Sequence, residues 1–261
     1  MRVFIITMDD PVQTRDFIKY VIDHTEHEII GLAQAQGDRM TIGKKRSKIG
    51  YLFTLLAIMG LPYFLMNVFA TVSDKVTKKL AKLGLAKDPS IAAYAEKKGI
   101  KTFRIKTPNS KVFKTELRAL NPDVIINQSQ SIIKQELIDI PKLGIVNRHN
   151  ALLPKNRGRL TPFWVLQKGE KETGVSIHFV TEGIDAGDII VQERYDVLPK
   201  DRFRSLVDRN YTIAPKAMVK ALDILAAGQT EFIPNNDDEA TYNTVPTFAD
   251  AMVYRKRVGW L

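Results

Sequence analysis

Apolar positions along this chain follow two alternating periods. Val3, Phe4, Ile5 and Ile6 form a continuous apolar run ahead of the turn Asp9-Asp10-Pro11, which predicts a buried strand over residues 2–8. Phe17, Tyr20, Val21 and His24 then mark one face of a helix, and residues 28–34 return to a strand. Strand, helix and strand at this spacing predict a right-handed βαβ unit on a parallel sheet. After an interruption the rhythm resumes at Ser90, an N-cap for a helix over 91–98 closed by Gly99. A short strand over 100–104 follows, then a helix over 111–120 capped by Asn109 or Ser110, then the buried strand Val124-Ile125-Ile126. The polar patch Asn127-Gln128-Ser129-Gln130-Ser131 leads through a short helix near 132–138 to a strand beginning at Gly144. Thr161-Pro162 opens a helix with Pro in its first turn. Gly174–Val180 and Ile189–Tyr195 alternate as strands, and residues 202–227 predict a long helix ended by Gly228. The tail from Phe232 is rich in Pro, Asn and Asp and predicts loop. The pattern is that of the α/β class, with a mostly parallel sheet in residues 1–228 and a short C-terminal extension over 229–261.

The interruption has its own pattern. From Ile49 to Ser73 no residue is charged over 25 positions, which is long enough to span a bilayer. Gly60-Leu61-Pro62 should kink or break a helix in its middle. Beyond the break Leu65, Val68, Val72, Val76, Leu80 and Leu83 recur at three- and four-residue steps. Lys75, Lys78, Lys79 and Lys82 fall mainly on the opposite side, as in an amphipathic helix with a basic face. Residues from about 39 to 87 therefore predict an inserted hydrophobic, basic helical hairpin. Packing on its own domain or at a homodimer interface is open to it, and so is shallow insertion of 49–83 into an anionic membrane surface. The cationic flanks favour the membrane. A true span is disfavoured, because it would divide one sheet between two sides of a bilayer.

Charge sharpens this reading. The formal net charge is +10, yet ten of the basic residues lie between Arg39 and Lys87 against the single acid Asp74. The excess belongs to the insertion and is not a general nucleic-acid footprint. The chain has no cysteine, so it forms neither disulfides nor thiolate metal sites, which is compatible with a reducing compartment. Its first residues read directly as a strand and not as a signal peptide, so a cytoplasmic setting is expected, with peripheral attachment to a membrane if the insertion provides it. No Gly-x-Gly-x-x-Gly follows the first strand, so a dinucleotide fingerprint is lacking.

Chemistry concentrates at the strand ahead of Leu152-Leu153-Pro154. Asn147 and His149 stand two positions apart, so strand geometry puts both side chains on one face at a carboxyl end, where open α/β sheets bind ligands. An Asn donates hydrogen bonds without ionising, which suits an oxyanion, and a His donates or relays a proton near neutral pH. The acidic loop Thr181 to Asp188 supplies Asp185 and Asp188, either of which would orient such a His. These groups suit attack of a nucleophile on a carbonyl without a covalent enzyme intermediate. No Gly-x-Ser-x-Gly elbow and no His-Glu-x-x-His or cysteine pair is present, so no metal is expected. His178 reads as a structural mid-strand residue, and His24 and His27 as surface residues. Arg157 and Arg159 read equally as phosphate ligands or as a solvated loop.

Asn147-Arg148-His149 with Leu152-Leu153-Pro154, then Arg157-Gly158 and Pro162, resembles the folate-dependent formyltransferase family. Thr173-Gly174-Val175-Ser176-Ile177-His178 and Gly183-Ile184-Asp185-Ala186-Gly187-Asp188-Ile189-Ile190 resemble the family's second block, in the expected order. The match covers about residues 115–195. The resemblance implies a Rossmann-like formyltransferase fold using N10-formyltetrahydrofolate as co-substrate. It implies that Asn147 and His149 stabilise the oxyanion formed when an amine attacks the formyl carbon, and that Asp185 pairs with His149 and assists proton transfer. It implies a pterin site at Ser131, Ile132 and Ile133 and at Thr181, Glu182, Gly183 and Ile184. Family members acting on glycinamide ribonucleotide carry a Gly/Ser/Asn phosphate loop where Thr7-Met8-Asp9-Asp10-Pro11 stands here. Those acting on methionyl-tRNA add a C-terminal β-barrel, for which the roughly 33 residues after the long helix are too few. The expected acceptor is therefore a nucleotide-linked amino sugar, with no nucleic-acid partner. A membrane-surface scaffold without turnover is the alternative of another class.

Overall fold

The computed structural model describes residues 1–36 and 48–259; Arg39, Lys44, Lys45 and Arg46 of the insertion lie outside them. In chain order the elements are β1 (Arg2–Thr7), α1 (Thr14–His24), β2 (Glu28–Ala35), α2 (Lys48–Met59), α3 (Leu61–Lys82) and α4 (Ile91–Lys97). There follow β3 (Thr102–Ile105), α5 (Lys111–Leu120), β4 (Val124–Gln128), α6 (Gln135–Ile138), β5 (Ile145–His149) and β6 (Arg157–Gly158). The chain continues with α7 (Thr161–Lys168), β7 (Glu172–Phe179), β8 (Ile189–Asp196), α8 (Phe203–Ala226), β9 (Tyr242–Asn243) and α9 (Phe248–Val258).

Seven strands form one sheet in the order β3-β2-β1-β4-β5-β7-β8. The first five pair in parallel, and β7 runs antiparallel to both of its neighbours. The apolar runs are continuous because both faces of this sheet are covered. Alternate residues divide between them: Val3, Ile5, Val124 and Ile126 pack with Phe17, Ile18 and Met218, while Phe4, Ile6, Ile125 and Ile145 pack with Phe113, Leu117 and Leu137. Strand order reverses direction at β1, which opens a crevice beyond the carboxyl ends of β1, β4 and β5.

The C-terminal extension is not the loop its composition predicts. It contains β9, paired with β6, and the three-turn helix α9. Tertiary burial overrides composition here: Ala251 and Tyr254 enter a third core with Ala57, Ile58, Phe163 and Leu206. The helix also starts on a capping box, in which Thr247 Oγ1 accepts from Asp250 N at 3.1 Å and Asp250 Oδ2 accepts from Thr247 N at 2.7 Å. Arg255 of α9 donates to the Ala57 and Ile58 carbonyls near the end of α2, where a cation meets the negative pole of the helix.

The insertion does break at Gly60, which adopts φ 76°, with Pro62 in the first turn of α3. Its orientation is the reverse of an ordinary surface helix. Asp74 and Lys78 face the domain, while Leu65, Phe69, Val72, Val76, Leu80 and Leu83 are exposed. Lys78 therefore leaves the basic face expected of it. It contacts Asp9 at 2.5 Å and Asp74 at 2.9 Å, and Arg15 bonds Asp9 at 2.9 Å and Asp74 at 2.8 Å. Burial would raise the Asp9 pKa, but hydrogen bonds from Arg15, Lys78 and the Ile91 N–H outweigh it and hold this carboxyl below its ordinary value. No helix among the described residues is long and apolar enough to cross a membrane.

Candidate active site

Strand register assembles the site. Asn147 of β5 stands opposite Asn127 of β4 and opposite His178 of β7, and His149 stands opposite Ser176. Period-2 geometry therefore gives Asn147, His149 and His178 one face, and Arg148 the other. Asp185 enters from the loop after β7 in a left-handed backbone conformation, φ 49°, which Asp tolerates better than most residues. Its Oδ2 accepts from Gly158 N at 2.8 Å and lies 3.3 Å from His149 Nδ1. Its Oδ1 lies 3.7 Å from His178 Nε2. Asn235 of the extension holds the loop by donating to the Asp185 and Gly187 carbonyls, both at 2.8 Å.

Hydrogen-bond roles follow from these partners. Asn147 Oδ1 accepts from Gln128 Nε2 and from Arg148 N, each at 2.9 Å. Its amide NH2 is thus the part of Asn147 left to donate into the cleft. His149 Nε2 lies 2.8 Å from the Asn156 carbonyl, which can only accept, so Nε2 carries a proton. The second nitrogen, Nδ1, faces the Asp185 carboxylate, and that contact has room for one further proton. Both nitrogens of this buried ring are directed at protein acceptors, so Asn147 is the better-placed oxyanion donor of the two.

His178 was not legible as a site residue from its mid-strand position. Its Nδ1 donates to the Phe179 carbonyl at 2.8 Å, and its buried Nε2 has no hydrogen-bond partner. Burial pushes its pKa from 6.5 down to about 4; Asp185 opposes that shift and His149 adds to it. It is therefore a neutral ring against Asp185 at neutral pH. The signal that reveals it is the antiparallel pairing of β5 with β7. Asp188, the other acidic candidate, is exposed and outside the cleft.

The cleft is about 750 Å³, and Ser131, Ile132, Ile133, Thr181, Glu182, Gly183 and Ile184 all line it. Ile132 and Ile184 are 80% and 61% exposed, giving the cleft two free apolar side chains. Ile133 instead turns its side chain into the core. Asn109 does not cap α5; Ser110 does, and Asn109 bonds the Ile132 carbonyl at 2.8 Å and Lys134 N at 3.0 Å, fixing this loop. Arg157 is no phosphate ligand. It is fully buried and bonded to Asp237, Tyr242 and Asn235, because the extension folds over it. Arg159 is exposed at the cleft. Arg148 lies beneath it between the Phe17 and Tyr211 rings, 4.7 and 4.3 Å from their centroids, and donates to Tyr211 Oη at 2.9 Å. Among the described residues no group of side chains could hold a metal ion.

Residues 61–222 match the family model for formyl transferase. The chain belongs to the formyl transferase family. This formyl transferase chain is 34% identical over 164 residues to a methionyl-tRNA formyltransferase of Kosmotoga olearia, covering 62% of the chain and 53% of that relative. It is 30% identical over 199 residues to the protein of that name from Citrifermentans bemidjiense, covering 71% and 61%. The chain thus spans little more than half the length of the curated relatives it matches. The fold is shared with glycinamide ribonucleotide transformylase 1 from Symbiobacterium toebii, at TM-score 0.59 and 16% identity over 90% of this chain and 94% of that one. It is shared equally with an N-formyltransferase from Helicobacter canadensis, at TM-score 0.59 and 17% identity over 93% and 70%.

Proposed function

We propose that this formyl transferase moves a formyl group from N10-formyltetrahydrofolate to the primary amine of a nucleotide-linked amino sugar. The observation that carries the reading is the meeting of the Asn147 amide with the His149–Asp185 pair at the carboxyl ends of β4 and β5. The folate supplies an electrophilic formyl carbon. Ile132 and Ile184 offer apolar contacts for its ring system, and the Ser131 and Thr181–Gly183 segments offer polar ones. Asn147 donates from Nδ2 to the negative charge that develops on the formyl oxygen. As the amine nitrogen bonds to the formyl carbon, the proton it loses is taken up at the contact between Asp185 Oδ2 and His149 Nδ1. The bond from the formyl carbon to N10 then breaks and that proton passes to N10, so tetrahydrofolate leaves neutral at that nitrogen. His178 lines the same wall as a neutral ring that makes no hydrogen bond to Asp185. Lack of cysteine fits a cytoplasmic setting.

Two positive charges support an anionic acceptor: Arg159 at the cleft and Arg148 beneath it. The N-formyltransferase of Helicobacter canadensis is described in complex with folinic acid and dTDP-3-aminofucose. Asp9 at the β1 turn is neutralised by Arg15 and Lys78, so its charge does not by itself repel a phosphate there. A second reading, methionyl-tRNA, is favoured by the names of the curated relatives. The deciding assay offers N10-formyltetrahydrofolate with nucleotide-linked amino sugars, glycinamide ribonucleotide and methionyl-tRNA as separate acceptors. Formylation of the sugar amines alone is expected. Formyl-methionyl-tRNA as the preferred product would replace the acceptor. No transfer to any amine and no thermal stabilisation by folate would leave a scaffold.

A further inference from the structure

We infer that the outer face of α3 docks flat on an anionic membrane surface, a role separate from the proposed transfer. Three features of the helix point there. First, it is packed inside out: Asp74 and Lys78 are turned toward Arg15 and Asp9, and the apolar stripe faces outward. Leu65, Phe69, Val72 and Val76 are 53%, 75%, 53% and 52% exposed, and at 100° per residue they form one continuous band. Contiguous apolar surface of this kind marks an interaction site.

Second, the charges beside the band have one sign. Lys75, Lys79 and Lys82 are exposed along its edge, and the only acid of α3, Asp74, is turned inward and paired. A two-fold dimer through this face would offer these lysines no acid of the partner α3 to pair with. An anionic lipid surface instead complements them and accepts the apolar band between headgroups. Third, the 22 residues of α3 do not form a span. They are suited to lie in the interface plane over about 33 Å.

The test is sedimentation of the full chain with phosphatidylglycerol/phosphatidylethanolamine vesicles, with phosphatidylcholine vesicles as control. The protein should pellet with the anionic vesicles, stay in solution with the neutral ones, and be released by salt at about 0.5 M. Lys75→Gln/Lys79→Gln/Lys82→Gln should weaken binding roughly a hundredfold. Phe69→Ser/Val72→Ser/Val76→Ser should weaken it at least as much. Both variants alter exposed side chains, and unchanged thermal melting verifies their folding. Three results overturn the inference. One is a wild-type protein that ignores anionic vesicles. Another is binding that both triple variants retain. The last is a concentration-dependent dimer, seen by sedimentation velocity without vesicle binding and abolished by the serine variant; that assigns the face to a second copy of the chain.

Discussion

Asn147 and Asp185 carry different parts of the proposed chemistry, so their loss should look different. Asn147→Ala removes a donor that strengthens as charge develops, and kcat should fall roughly 100- to 1,000-fold with folate-dependent thermal stabilisation retained. His178 gives a pH signature of its own. Its folded pKa of about 4 lies below the ordinary 6.5, so the unfolded chain binds a proton there before the folded one does. Stability from this group is complete above about 6.5 and is lost progressively as pH falls to about 4. Urea melts across that window should show a flatter profile for His178→Gln. Asn147 and His149 were visible in the sequence because strand period 2 forces them to one face. His178 was not, because its place beside Asp185 depends on which strand β7 pairs with, and in which direction.

At the scale of elements, α3 departs furthest from what its pattern implies. Periodicity identified the helix and Gly60-Leu61-Pro62 identified the break, but periodicity only says that one face is apolar. It does not say which way that face points. Here the buried ion cluster of Asp9, Arg15, Asp74 and Lys78 decides it. Asp74→Ala should therefore destabilise the protein by about 3 kcal/mol, since the buried Arg15 and the half-buried Lys78 are left to share Asp9 alone. Leu65→Gln on the exposed face should change stability by less than about 0.5 kcal/mol. An ordinary amphipathic surface helix would give the opposite ranking in denaturant titrations. The helix α9 was hidden by composition, although Thr247 and Asp250 spell a capping box. Thr247→Ala should cost about 1 kcal/mol.

For the whole molecule, the α/β rhythm and the parallel sheet were legible because the core strands are continuous apolar runs. The unity of residues 1–228 with the extension was not, since it rests on apolar and polar contacts made across long sequence separations. Asn235 holds the Asp185 loop, and Arg157 is enclosed by Asn235, Asp237 and Tyr242. Removal of residues 229–261 should therefore abolish transfer and folate-dependent stabilisation together, and leave α2 open to limited proteolysis. The contact between α9 and α2 also sets a schedule for biosynthesis. Arg255 and the Ala57 carbonyl it meets are 198 residues apart in the chain. At roughly 5–20 residues per second, the apolar hairpin waits on the order of 10–40 s after its own synthesis before its helical partner exists. Throughout that interval a nascent chain exposes a long uncharged segment on the ribosome, so chaperone capture or early contact with lipid would precede completion of the fold.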